Sequence, residues 1–104
     1  MDTLAKTKID HIITTETNLI VSLDDGRVLF VPLDWYPRLK HGAPAERNNW
    51  ELIGDGEGIH WPDLDEDISL DGLLAGRRSA ESKQSIERWL NQRAHLKQQS
   101  IMAG

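Results

Sequence analysis

The chain has 104 residues, with 12 Lys and Arg against 17 Asp and Glu, four His and no Cys, for a formal net charge of −5. That length holds one domain, or one domain with a terminal helix, and the absence of Cys excludes disulfide staples, thiolate zinc sites and thiol catalysis. No apolar run approaches the length of a membrane span, and the N-terminal residues show neither an apolar signal core nor arginine-rich transit character, so a cytoplasmic protein without membrane contact is expected.

Residues 9–15 (Ile-Asp-His-Ile-Ile-Thr-Thr) and 18–23 (Asn-Leu-Ile-Val-Ser-Leu) are rich in β-branched and apolar types and predict two strands. Asp24-Asp25-Gly26 follows, a tight-turn signal because Asp-Gly accepts the positive φ angles of a primed hairpin turn. Residues 27–33 return as a third strand, in which Pro32, lacking an N–H, faces an edge or ends the pairing. A three-stranded antiparallel meander results.

Asp34 stands where an N-cap would serve a short helix through Trp35-Tyr36-Pro37-Arg38-Leu39, stopped at His41-Gly42. Pro44 suits a first helical position and predicts a second short helix to about Trp50. Residues 51–54 and 58–61 flank Asp55-Gly56-Glu57 and predict a second hairpin with a flexible glycine-rich tip, ended by Pro62. Residues 63–67 (Asp-Leu-Asp-Glu-Asp) predict a solvated acidic loop. Ser69 then caps a short helix that Gly76 stops.

Beyond Gly76 the composition changes. Residues 77–82 predict a linker leading into a helix whose Ile86, Trp89, Leu90, Arg93 and Leu96 share one face, extended by Lys97 and Ile101. Residues 1–76 carry six basic residues against fifteen acidic ones, a balance of −9, whereas residues 77–104 carry six against two, a balance of +4. The expected organisation is a small α+β domain over 1–76 (an antiparallel meander, a second hairpin and short helices) with a basic linker and an amphipathic C-terminal helix over 77–104.

The segments Pro32-Leu33-Asp34-Trp35-Tyr36-Pro37-Arg38-Leu39 and Gly56-Glu57-Gly58-Ile59-His60-Trp61-Pro62-Asp63-Leu64-Asp65-Glu66-Asp67-Ile68-Ser69, together with the Gly72-Leu-Leu-Ala-Gly76 tail, resemble the bacterial family called domain of unknown function 2442 over about residues 9–90. The resemblance implies a small α+β protein and no established catalytic residues. It also implies a gene neighbour from a second small family, number 4160, in an arrangement like a toxin–antitoxin operon. Some relatives add a helix-turn-helix domain, for which a single helix after Gly76 leaves no room.

Among individual candidates, Asp63-x-Asp65-x-Asp67 opens like a calcium loop, but the sixth and twelfth positions hold Ile68 and Leu74, not Gly and Glu, so no metal is expected. The four His show no metal spacing. His60 would need an orienting carboxylate to act as a base, with Asp63 or Glu57 in reach. Alternation puts it on the face opposite Trp61. The Gly54-x-Gly56-x-Gly58 string lacks the Lys-Ser/Thr ending of a phosphate loop. Most of the four Trp are expected in the core, with Trp89 and then Trp35 as candidates for an interface, where Trp is enriched.

No catalytic constellation, cofactor site or metal site emerges, and the expected function is non-enzymatic protein–protein binding, as in the antitoxin-like member of a gene pair. The partner is expected to be a second copy, giving a homo-oligomer, or the product of the neighbouring gene. The candidate surface comprises Trp35, His60, Asp63, Asp65, Asp67, Arg77, Arg78, Arg88, Trp89 and Arg93. The alternative is a weak nucleic-acid binder through Arg77, Arg78, Lys83, Arg88, Arg93 and Lys97, whose affinity would fall steeply with salt. The tail could also fold back on its own acidic body.

Overall fold

The structure, a computed structural model, describes residues 6–103, with side chains as far as Leu96. Residues 1–5, on which part of the N-terminal reading rests, and the side chains of Lys97 and Ile101 lie outside the described residues.

The meander forms as the sequence predicts. Strands β1 (Ile9–Thr14), β2 (Asn18–Leu23) and β3 (Val28–Pro32) pair antiparallel in that order. Gly26 takes a φ of +93° at the β2–β3 turn, where only glycine sits without strain. Alternation sends Ile12, Leu19, Val21 and Val31 inward and leaves His11, Ile13, Ile20, Val28 and Phe30 on the outer face.

After β3 the chain departs from expectation. Asp34 caps no helix. It lies in a 3-10 turn (Leu33–Trp35) and pairs with Lys40 at 3.2 Å. Helix α1 (Pro37–His41) starts only after it, on the fixed φ of Pro37. Gly42 ends α1 with an ordinary φ of −72°, so its smallness serves packing instead: a Cβ there would meet the Leu64 side chain at 2.9 Å. Helix α2 (Pro44–Arg47) is shorter than expected and releases the chain before Trp50. Glu46 reaches back to accept the Ala43 N–H at 2.8 Å.

The second hairpin is a three-stranded sheet. Strands β4 (Glu51–Ile53) and β5 (Gly58–Trp61) are joined by β6 (Glu66–Ser69), in the order β4-β5-β6. Glu66 and Asp67 therefore belong to a strand, not to a loop. Ile59 pairs with Leu52 on one side and Ile68 on the other, a row that closes the core beside the fully buried Trp61. The glycine string is no flexible tip. Gly56 accepts the Ile9 N–H at 2.8 Å, and a Cβ on it would stand 2.4 Å from the Ile9 carbonyl oxygen, so the two sheets meet at a seam only glycine fits.

Ser69 caps α3 (Leu70–Leu74), accepting the Gly72 N–H at 2.9 Å, and Gly76 terminates it with φ +72°. The acidic side chains of residues 63–67 do not cap it. Helix α4 (Lys83–Ala103) begins behind Ser82, whose hydroxyl accepts the Ser85 N–H. Its apolar face is shorter than expected: Ile86 is buried, Trp89 and Leu90 are half-buried, and Leu96 is 64% exposed. The fold is α+β, both sheets contribute to one core, and among the described residues no helix is long and apolar enough to cross a membrane.

Candidate functional site

The acidic segment is displayed by the β5–β6 hairpin. Pairing register puts His60 opposite Glu51 on β4 and opposite Asp67 on β6, so an imidazole lies between two carboxylate residues in one cross-strand row. The His60 ring nitrogen Nδ1 hydrogen-bonds Asp67, and this bond, more than the charges of Asp67, Glu51 and Asp65 around it, raises the histidine pKa above its usual value. Asp67 is the partner, not Asp63 or Glu57. Asp63 instead accepts the Asn49 side-chain amide at 2.9 Å. Asp65, in the turn before β6, takes a φ of +50°, which Asp tolerates better than most residues.

Glu66 differs from its acidic neighbours. Burial pushes its pKa up to about 7, opposed by the positive charge of Arg38 and reinforced by Glu81, Asp67 and Asp65. It lines a cavity of about 270 Å³ with Tyr36, Gly72, Arg77 and Ser79, between β6 and the segment leading to α4. Tyr36 donates its hydroxyl to the Arg77 carbonyl at 2.9 Å, and Ser79 donates its N–H to the Trp35 carbonyl at 3.0 Å. These two bonds fix the segment after Gly76 along the body.

The basic tail is engaged in cis. Arg38 on α1 forms a fork-like pair with Glu81, both N···O distances 2.8 Å, and donates a third bond to the Leu64 carbonyl. Arg93 on α4 pairs with Glu46 on α2, whose pKa that bond lowers. Trp89 lies between the two guanidinium groups, at 4.9 Å from Arg38 and 4.6 Å from Arg93. Trp35 is half-buried, with Arg78 over its ring at 4.8 Å. Arg77, Arg78 and Arg88 are exposed.

The structure thus gathers eight of the ten candidate residues into two groups and leaves the exposed Arg77 and Arg88 outside both. His60, Asp63, Asp65 and Asp67 share the second sheet and its turn. Trp35, Arg78, Trp89 and Arg93 lie where the tail meets the body. The ion pairs among the described residues join Lys8 to Asp55, Arg27 to Asp25, Arg38 to Glu81, Lys40 to Asp34, His60 to Asp67 and Arg93 to Glu46. None links a Lys or Arg to Asp63, Asp65, Glu66, Asp67 or Asp71. Among the described residues, Arg77, Arg78 and the rest of the basic tail are therefore not ion-pair partners of these five.

Sequence reasoning missed Arg38 and Arg47. Arg47 is only 7% exposed and donates to the Leu39 and Gly42 carbonyls at the end of α1, while its own carbonyl accepts the Trp61 indole N–H at 3.0 Å. Its position in a short polar helix gave no signal of burial. Among the described residues no group of three or more His, Asp or Glu is arranged to hold a metal ion.

A family model described as "Protein of unknown function (DUF2442)" matches residues 9–79. No curated protein matches the chain. Among solved structures, the chain is similar to a protein of unknown function from Rhodospirillum rubrum, with 26% identity and a TM-score of 0.64 over 74% of this chain and 95% of that one. It is also similar to an uncharacterised protein from Chromobacterium violaceum solved by solution NMR, with 27% identity and a TM-score of 0.61 over 70% of this chain and 69% of that one.

Proposed function

From a chain that belongs to the DUF2442 family, we propose a non-enzymatic interaction protein that binds a basic protein surface through its acidic β5–β6 hairpin. The antitoxin-like half of a toxin–antitoxin-type gene pair is the role in view. The observation that carries this reading is that folding leaves the charge asymmetry in place. The guanidinium groups of Arg38 and Arg93 are committed to Glu81 and Glu46, while Asp63, Asp65 and Asp67 stay exposed with no Lys or Arg ion-pair partner among the described residues. Like charges held this close repel one another, so a partner bringing Lys or Arg gains on contact.

The test is co-purification of the full-length chain with the product of the adjacent gene. Co-elution is expected, with affinity falling at least tenfold for Asp65→Lys with Asp67→Lys and staying within twofold for Arg88→Glu. Failure of the pair to associate, with no effect of either gene on growth, overturns the antitoxin reading. The second reading, nucleic-acid binding through α4 and the segment before it, is favoured by the exposure of Arg77, Lys83 and Arg88. It requires a gel shift at low salt that Arg88→Glu weakens.

A further inference from the structure

The outer side of the first sheet plays no part in the acidic hairpin or the tail contacts. Its cross-strand-paired positions are His11 and Ile13 on β1, Asn18, Ile20 and Ser22 on β2, and Val28, Phe30 and Pro32 on β3, while the exposed Asp10 stands unpaired at a bulge between Ile9 and His11, on the strand farthest from β3. None of the eight paired positions is Asp, Glu, Lys or Arg, in a chain with 28% charged residues. Ile13, Ile20 and Phe30 are direct cross-strand neighbours, so they form one apolar row. Phe30, at the end of that row, is 68% exposed, and Val28 is 49% exposed.

That row ends on an open edge. Leu23 donates to the Arg27 carbonyl and Leu33 to the Thr17 carbonyl, which fixes the hydrogen-bonded positions of the β2–β3 ladder. By alternation Leu29 and Val31 bond toward β2, while Val28, Phe30 and Pro32 turn their backbone groups away from the sheet. Natural edges are commonly blunted by charged side chains, and β3 (Val-Leu-Phe-Val-Pro) carries none; only Pro32 withholds a donor.

We propose that β3 pairs antiparallel with β3 of a second copy about a two-fold axis at Phe30. In that register Phe30 faces Phe30 of the second copy and the two exchange both N–H···O bonds. Val28 faces Pro32 and donates to its carbonyl, so the missing proline N–H falls at the outermost step. The two apolar rows become one row of six side chains across a six-stranded sheet. Charge selects the same occupant. Two copies of a chain with net charge −5 approach with least repulsion along an uncharged edge. The register also brings Arg27 one step from Asp34 of the second copy. One five-residue strand per copy buries less than the roughly 1,200 Å² of a standard interface, so the dimer is weak and concentration-dependent. The inference is independent of the hairpin's partner.

Sedimentation equilibrium of the full chain should give a mass rising from 11.8 kDa toward twice that value as concentration approaches about 1 mM, the range of such weak contacts. Phe30→Lys, at an exposed position that leaves the melting temperature in place, should weaken association at least tenfold. Because the chain has no Cys, Phe30→Cys supplies a single thiol that oxidises to a dimer, as the ~5.5 Å Cα separation of a hydrogen-bonded pair permits. Asp55→Cys, on the other sheet, should cross-link at least tenfold more slowly. A wild-type chain monomeric throughout, a Phe30→Lys chain that associates as wild type, or equal cross-linking at both thiols overturns the proposal. Asp65→Lys with Asp67→Lys should leave self-association intact, which separates this surface from the acidic one.

Discussion

At the residue scale, Glu66 carries the clearest pH signature. Below about pH 4.5 its carboxyl is protonated in folded and unfolded chains alike. As pH rises toward about 7 the unfolded chain gives up the proton first, because burial holds it on the folded one. The unfolded state therefore binds fewer protons over that window, and stability falls with rising pH. Glu66→Gln removes the penalty. Thermal melts should show wild type and variant alike at pH 4, with the variant more stable by about 1–2 kcal/mol at pH 8, a figure discounted for the solvent that reaches the group. A variant less stable than wild type at pH 8 would show that the carboxylate itself contributes to the fold. His60 gives the same direction for a different reason, because Asp67 favours its charged form whereas burial disfavours that of Glu66. The folded pKa of His60 is raised by Asp67, so its contribution is complete below the unfolded value and fades as pH climbs through the folded one.

At the element scale, the seam between the sheets is the vulnerable point. Gly56 combines φ +111° with an approach to Ile9 so close that a Cβ would lie 2.4 Å from its carbonyl oxygen. Gly56→Ala must distort the turn or part the sheets, and should cost about 2–4 kcal/mol, as positive-φ and overpacking penalties combine. Urea titration measures it. Gly26→Ala, where nothing lies within 4 Å of the added Cβ, isolates the φ penalty and should cost about 1 kcal/mol. The same elements explain what was legible. Alternation and Asp-Gly gave β1 to β3 and the β4–β5 hairpin, since each depends on neighbours in sequence. Strand β6 (Glu-Asp-Ile-Ser) was hidden because three of its four side chains are polar and the inward face pairs the apolar Ile68 with the half-buried Glu66. The Gly56 seam depends on a residue 47 positions away along the chain, which no local pattern carries. The acidic residues were legible as candidates, but the His60–Asp67 pair appears only once β6 lies beside β5.

At the scale of the whole molecule, the tail is held by its middle. Ile86 and Trp89 pack on the body, Arg38 reaches out to Glu81, and Arg93 reaches back to Glu46. Helices are marginal in water without such packing. Trp89→Ala removes the ring that both guanidinium groups cover, and should lower stability by about 2–3 kcal/mol with a loss of helical circular dichroism at 222 nm larger than Arg88→Ala produces. An unchanged helical signal would mean that α4 is stable without its anchor. The charge split seen in the sequence thus acquires a physical form: part of the basic segment is spent on holding itself to the body, and the hairpin keeps its negative charge.

The order of strands has a kinetic consequence. Each sheet pairs only strands adjacent in the chain, β1-β2-β3 and β4-β5-β6, so neither waits for a long loop to close. Such local connectivity belongs to fast folding. Each meander can condense by itself on the microsecond scale of hairpins, and the Ile9–Gly56 contact is the step that must find its partner across the chain. The rate of assembly is then set by how the two halves meet, not by how either is made.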